Sequence, residues 1–216
     1  MADKLSNMKR LEDCGIVAVV RIDDSQELIK VCNAVLEGGV DCLEITMTTP
    51  NALGIISDVS KEIGDKILLG VGTVLDPETA RAALLAGAQF VVSPALNLDV
   101  VKMCRRYSKV VIPGAFTPTE IIAAWESGAD YVKVFPATTL GPGYFKDIKA
   151  PLPQIKLVPT GGVTLDTTAD FIKAGASFVA AGSNLVEKQA VKEGNLVKIT
   201  KNAARFREEV LKGRSK

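Results

Sequence analysis

The sequence predicts an α/β chain in which eight βα units follow one another, and three observations carry that expectation. A glycine, one short residue and an apolar run recur four times, at Gly39, Gly87, Gly128 and Gly175. A glycine of this kind closes a helix and releases the chain into a buried strand. Between these phrases lie four more apolar runs, Ile16 to Arg21, Ile67 to Thr73, Val110 to Pro113 and Ile155 to Pro159, each followed by a helix-like segment. Pairs of βα units repeated four times describe a (βα)8 (TIM) barrel. The third observation is negative: the first strand ends in Val20-Arg21-Ile22-Asp23. An open doubly wound sheet would want a glycine-rich dinucleotide turn there. The 216 residues sit near the short end of the range for such barrels, roughly 200 to 400, so residues 1–216 are expected to form one domain.

The elements follow in order. Asp3 to Asp13 reads as an additional N-terminal helix that would plug the barrel floor. After the first strand, Ser25 to Glu37 has helical periodicity, and the second strand presents Glu44, Thr46 and Thr48. The third strand ends at Thr73, and Asp76 caps a helix from Pro77 to Leu85. The fourth strand ends at Ser93-Pro94 and the fifth at Pro113-Gly114. Thr117 caps a helix from Pro118 to Glu126, in which Trp125 reads as packing rather than recognition. The sixth strand, Tyr131 to Phe135, leads into a segment from Thr138 to Tyr144 expected to be a loop long enough to cover a substrate. The seventh strand ends at Thr160-Gly161-Gly162, followed by a helix from Leu165 to Lys173. The eighth ends at Gly182-Ser183, and the tail from Lys198 to Lys216 continues the last helix and then frays. The charged pairs Lys61-Glu62 and Arg105-Arg106 read as solvated helix faces.

Composition removes whole classes of function. There are 26 basic and 25 acidic residues, a balance that offers neither the basic footprint of a nucleic-acid binder nor a polycationic membrane tail. The N-terminus is polar, without the apolar stretch of a signal peptide, and no run approaches membrane-spanning length; a cytoplasmic protein is expected. Cys14, Cys32, Cys42 and Cys104 form no CxxC pair and are expected to be buried small hydrophobes, neither a zinc site nor a disulfide framework. The chain contains no histidine. Chemistry here must therefore use Lys, Glu, Asp, Tyr, Cys or a metal held by carboxylates, without imidazole.

One lysine stands out on those terms. Lys133 lies in the middle of the apolar run Tyr131-Val132-Lys133-Val134-Phe135-Pro136, where alternation puts Tyr131, Lys133 and Phe135 on one face. An isolated strand lysine ordinarily protects a sheet edge; on an inner strand, desolvation favours the neutral amine, the form that attacks a carbonyl. The same alternation aligns Val17, Val19 and Arg21 on the first strand and Cys42, Glu44 and Thr46 on the second. If those faces point inward, a carboxylate and a guanidinium share the barrel mouth with Lys133, an arrangement suited to proton transfer beside a nucleophile. Thr160-Gly161-Gly162-Val163 and Gly182-Ser183-Asn184, at the starts of helices, offer unshielded backbone N–H groups and hydroxyls, a phosphate cradle after the last two strands.

The string Leu43 to Thr49 (LEITMTT), Gly70-Val-Gly-Thr-Val74, Val92-Ser-Pro94, Ile112-Pro-Gly114, Thr117-Pro-Thr-Glu120, Val132-Lys-Val-Phe-Pro136, Val158-Pro-Thr-Gly-Gly-Val163 and Gly182-Ser183 resembles the 2-keto-3-deoxy-6-phosphogluconate / 4-hydroxy-2-oxoglutarate aldolases. It runs in order from about Ile16 to Val186. The resemblance implies a class I aldolase in which Lys133 forms a Schiff base with a keto group and Glu44, through a water, shuttles protons during C–C cleavage. It implies no metal and no cofactor. Thr73 would contact the pyruvate carboxylate, Phe135 would pack over the imine, and Thr160, Gly161, Gly162 and Ser183 would hold the phosphate end. The partners implied are a phosphorylated keto sugar acid, pyruvate and copies of the chain in a homotrimer. One departure matters: the best-known members carry an arginine where this chain has Thr48, and Arg21 is the guanidinium able to reach a carboxylate from the neighbouring strand. The gluconate and galactonate epimers and unphosphorylated hydroxyglutarate all remain open as substrates, as does a phosphate-sugar-binding barrel without catalysis.

Overall fold

The computed structural model describes residues 3–215. Helix α1 (Lys4–Cys14) is capped by the Asp3 side chain, which accepts from the Ser6 N–H. The chain then alternates through β1 (Ile16–Val20), α2 (Ser25–Glu37), β2 (Cys42–Thr46), α3 (Ala52–Ile63), β3 (Leu68–Gly72), α4 (Pro77–Ala86), β4 (Phe90–Val92), α5 (Leu98–Arg106), β5 (Val110–Ile112), β6 (Gly114–Ala115), α6 (Pro118–Glu126), β7 (Val132–Val134), α7 (Ala137–Lys149), β8 (Leu157–Pro159), α8 (Leu165–Lys173), β9 (Val179–Ala181), α9 (Lys188–Lys192) and α10 (Leu196–Arg214). Every pairing is parallel, as the intervening helices require.

The strands lie in the order β5-β4-β3-β2-β1-β9 and β6-β7-β8. Pro113 separates β5 from β6, because proline has no N–H to give to a ladder. At the other seam, single bridges join Leu157 to Ala176 and Thr160 to Ala180. The result is a curled parallel sheet with helices on its outer side. One apolar core extends from Leu11 in α1 to Val210 in α10. Strand residues are buried on both faces, so the strands read as continuous apolar runs.

The helix starts follow local chemistry. Asp24 and Asp76 accept from the Glu27 and Thr79 N–H groups, and Thr117 with Glu120 makes a reciprocal capping box. Three expectations need correction. The second strand stops at Thr46; Thr48 lies in the following turn, exposed, with its hydroxyl 3.1 Å from that of Thr46. The segment Thr138 to Tyr144 belongs to α7, not to a covering loop: Pro142 interrupts an otherwise helical stretch at Gly141, whose φ of 66° lies outside the helical range, and helix continues on either side. Trp125 is half-exposed on α6 rather than packed. The tail is helical to Arg214, and the fraying expected at Lys216 lies outside the described residues. No helix among the described residues is long and apolar enough to cross a membrane.

Candidate active site

Parallel register brings the polar strand residues to one level. Glu44 on β2 lies between Val19 of β1 and Gly70 of β3, and Lys133 on β7 lies between Gly114 of β6 and Val158 of β8. The ends of these strands surround a cavity of about 200 Å3. Its wall includes all ten residues singled out from the sequence: Arg21, Glu44, Thr73, Lys133, Phe135, Thr160, Gly161, Gly162, Gly182 and Ser183. Val19, Pro94, Val163, Ala180 and Asn184 complete the lining. Thr48 and Ser93 stay outside it.

Glu44 and Lys133 are both buried, at 4% and 7% exposure. Among the described residues neither side chain makes a hydrogen bond or an ion pair. Burial therefore dominates both. It pushes the Glu44 carboxyl above its ordinary range, against the pull of the Lys133 and Arg21 charges, and it holds the Lys133 amine below the ordinary lysine value, with Glu44 opposing and Arg21 assisting. The amine sits 4.6 Å from the centre of the Phe135 ring. Both shifts favour the uncharged forms, the direction that suits a proton carrier beside a nucleophilic amine.

Sequence reasoning missed what seats Glu44. A Cβ on Gly72 would strike the Glu44 carboxylate, so the absent side chain of β3 is the space the carboxylate occupies. The motif Gly70-Val-Gly-Thr-Val74 held the signal, but only the register says which glycine faces which strand. The glycines after β8 have a different reason: Gly161 and Gly162 have φ of 83° and 75°, a left-handed conformation that costs other residues free energy. In that turn the backbone runs along the cavity wall into α8, whose Thr164 and Thr167 cap its start. The Asn184 amide donates to the Val163 carbonyl at 2.8 Å, tying the turn after β9 to the turn after β8. Gly182-Ser183-Asn184 is not at a helix start, as the sequence suggested: the Leu185 and Val186 N–H groups fold back on the Gly182 carbonyl, and α9 begins only at Lys188. Arg21, one residue beyond β1, is exposed and leans toward Gly182.

The family model described as KDPG and KHG aldolase matches residues 8–202. The chain belongs to the KDPG and KHG aldolase family. Two relatives give this family assignment its detail. A 2-dehydro-3-deoxy-phosphogluconate aldolase of Treponema pallidum is 36% identical over 88% of this chain and 90% of its own length. A 2-dehydro-3-deoxy-6-phosphogalactonate aldolase of Escherichia coli is 35% identical over 87% of this chain and 95% of its own. Among solved structures, KDPG aldolase from Legionella pneumophila, with pyruvate captured at low pH as a covalent carbinolamine intermediate, superposes with a TM-score of 0.86 at 26% identity, covering 93% of this chain and 97% of that one. As a member of this family the chain is a lyase of the Schiff-base class; such chemistry needs a nucleophilic amine.

Proposed function

We propose that the chain cleaves 2-keto-3-deoxy-6-phosphogluconate to pyruvate and glyceraldehyde 3-phosphate, with Lys133 as the imine-forming amine and Glu44 as its proton partner. The observation that carries this reading is the buried, unpartnered Glu44 and Lys133 in one cavity. Lys133 adds to the C2 carbonyl and the carbinolamine loses water. The protonated imine then takes up the electron pair of the C3–C4 bond as the C4 hydroxyl proton leaves toward Glu44 through a water. The aldehyde departs, Glu44 returns a proton to C3 of the enamine, and hydrolysis frees pyruvate and the amine.

Arg21 and Thr73 are the reading's carboxylate ligands, Phe135 lies against the imine, and Thr160, Gly161, Gly162, Gly182 and Ser183 hold the phosphate through backbone N–H groups and hydroxyls. We read the two sheets as the staves of one (βα)8 barrel, β5 and β6 forming a single stave broken at Pro113, with α1 as the additional helix. The seam bridges and the continuous core support that reading as one domain. Half-exposed Phe116 and Trp125 supply apolar surface for a homotrimer, and the protein would work in the cytoplasm. The galactonate epimer is a second reading, favoured by Thr48 in the position of the usual arginine and by the 35% identical galactonate enzyme.

Pyruvate with borohydride should leave a reduced pyruvyl adduct on the peptide carrying Lys133; an adduct on another lysine removes it from this role. Cleavage rates on the gluconate, galactonate and hydroxyglutarate substrates should rank the phosphorylated acids first. The reverse order breaks the assignment of the glycine turns to phosphate.

A further inference from the structure

Cys14 and Cys42 are far apart in the sequence yet touch in the fold. Cys14 closes α1 and Cys42 opens β2, and their Sγ atoms and the Asp41 carboxylate all lie within 4.8 Å of one another. The Cys14 thiol donates to the Ile16 carbonyl at 3.1 Å, and that of Cys42 sits 3.5 Å from Asp41 Oδ1. A cavity of about 400 Å3, separate from the one described above, opens beside them and reaches Cys14. We propose that Cys14 and Cys42 form a two-electron oxidation site that closes to a disulfide when a peroxide enters this cavity.

The charges around the pair decide between oxidation and a bound cation. Lys9, Arg10 and Arg207 line the cavity against Asp13 and Asp41. The two carboxylates are already taken, Asp13 by Lys9 at 2.5 Å and Asp41 by Arg10 at 2.6 Å. Arg207, which forms no ion pair among the described residues, donates to the Cys14 carbonyl at 2.7 Å, and Arg214 donates to those of Asp13 and Glu12. A thiolate gains from this surplus of positive charge and a metal cation does not. Cys14 is held below the ordinary thiol value, first by the hydrogen bond from Cys42 and against burial and the Asp41 charge. Cys42 is pushed well above it, chiefly by burial, which suits the second, resolving thiol. Cys32 and Cys104 provide the contrast: each is buried, with burial raising it to about 12.

In the reaction the Cys14 thiolate attacks one peroxide oxygen, the O–O bond breaks, and the leaving hydroxide takes a proton to form water. The Cys42 sulfur then attacks the resulting sulfenic acid; hydroxide leaves from Cys14 with the Cys42 proton as a second water. Two thiols and one hydrogen peroxide become one disulfide and two waters, the sulfurs losing the two electrons that the peroxide gains. Reaching the S–S length of about 2.05 Å needs the sulfurs to approach by no more than about 3 Å.

The test is hydrogen peroxide at micromolar excess over the native protein, followed by alkylation of remaining thiols, non-reducing digestion and mass spectrometry. A linked pair of peptides carrying Cys14 and Cys42, lighter by two hydrogens, should form while Cys32 and Cys104 are alkylated, and dithiothreitol should reverse it. In Cys42→Ser, Cys14 should stop at a sulfenic acid trapped by dimedone; circular dichroism of Cys14→Ser and Cys42→Ser separates lost chemistry from lost folding. Equal oxidation of all four cysteines, or one zinc retained per chain with the Cys14 and Cys42 thiols protected from peroxide, overturns the proposal.

Discussion

Two glutamate–lysine pairs in this molecule received opposite treatment. At the base, Glu12 in α1 accepts from Lys156 and from the Tyr131 phenol, both at 2.8 Å. Burial raises Glu12, but those two hydrogen bonds outweigh it and hold the carboxyl below its ordinary value. At the mouth, Glu44 and Lys133 lie on the inner face without such partners, and burial wins for both. β7 and its approach serve both ends: Tyr131 completes the paired cluster and Lys133, two residues on, enters the cavity. A polar pair built for stability satisfies its own hydrogen-bonding capacity. The pair proposed for chemistry leaves it open, and the fold bears a desolvation cost of several kcal/mol.

The largest test of this contrast is Glu44→Gln. Turnover should fall roughly 10²- to 10⁴-fold, the range for losing a general acid/base, while borohydride trapping of pyruvate persists. The carboxylate raises the Lys133 amine through its charge, so its loss should lower the amine further and move the trapping profile to lower pH. A profile that stays in place would mean that the two groups do not feel each other. Next is Arg21→Ala. A charge-assisted hydrogen bond of about 1.5 to 3 kcal/mol predicts a KM for pyruvyl substrates raised about 10- to 100-fold with a smaller change in kcat; an unchanged KM removes Arg21 from the carboxylate site.

The smallest effect belongs to the base. Glu12 and Lys156 are about two-fifths exposed, so solvent screens them, and Glu12→Gln should cost at most about 1 kcal/mol near pH 7. Its folded value is depressed, so the stabilisation is present above the unfolded carboxylate value and disappears as pH falls through the folded one. Wild type and variant should therefore converge in urea midpoint once the pH is well below the ordinary glutamate value of about 4.3, beyond the lowered folded value. A gap that persists there would make the contact steric rather than ionic.

Much of the site was legible in the chain. Alternation over short apolar runs put Lys133, Glu44 and Arg21 on inward faces, because a strand's period of two leaves little choice once its ends are marked. Glycine phrases marked those ends, and the helix caps at Asp76 and Thr117 fixed the starts between them. The failures have physical causes too. Thr138 to Tyr144 carries Gly141, Pro142 and Gly143, local signals for a loop, yet helix resumes beyond Gly141 because Phe145 and Ile148 bury themselves in the core. Trp125, apolar by composition, is left half in solvent because α6 turns a different face inward.

By itself the sequence determined the alternation of strands and helices, the absence of histidine and the one lysine set within an apolar strand, all of which follow from local periodicity and residue type. Only tertiary structure decided that Gly72 makes room for Glu44, that the Glu44 and Lys133 side chains have no partner among the described residues, and that Cys14 and Cys42 meet. Each depends on register between strands remote in sequence, and register is set by the packing of the whole sheet rather than by any segment of it.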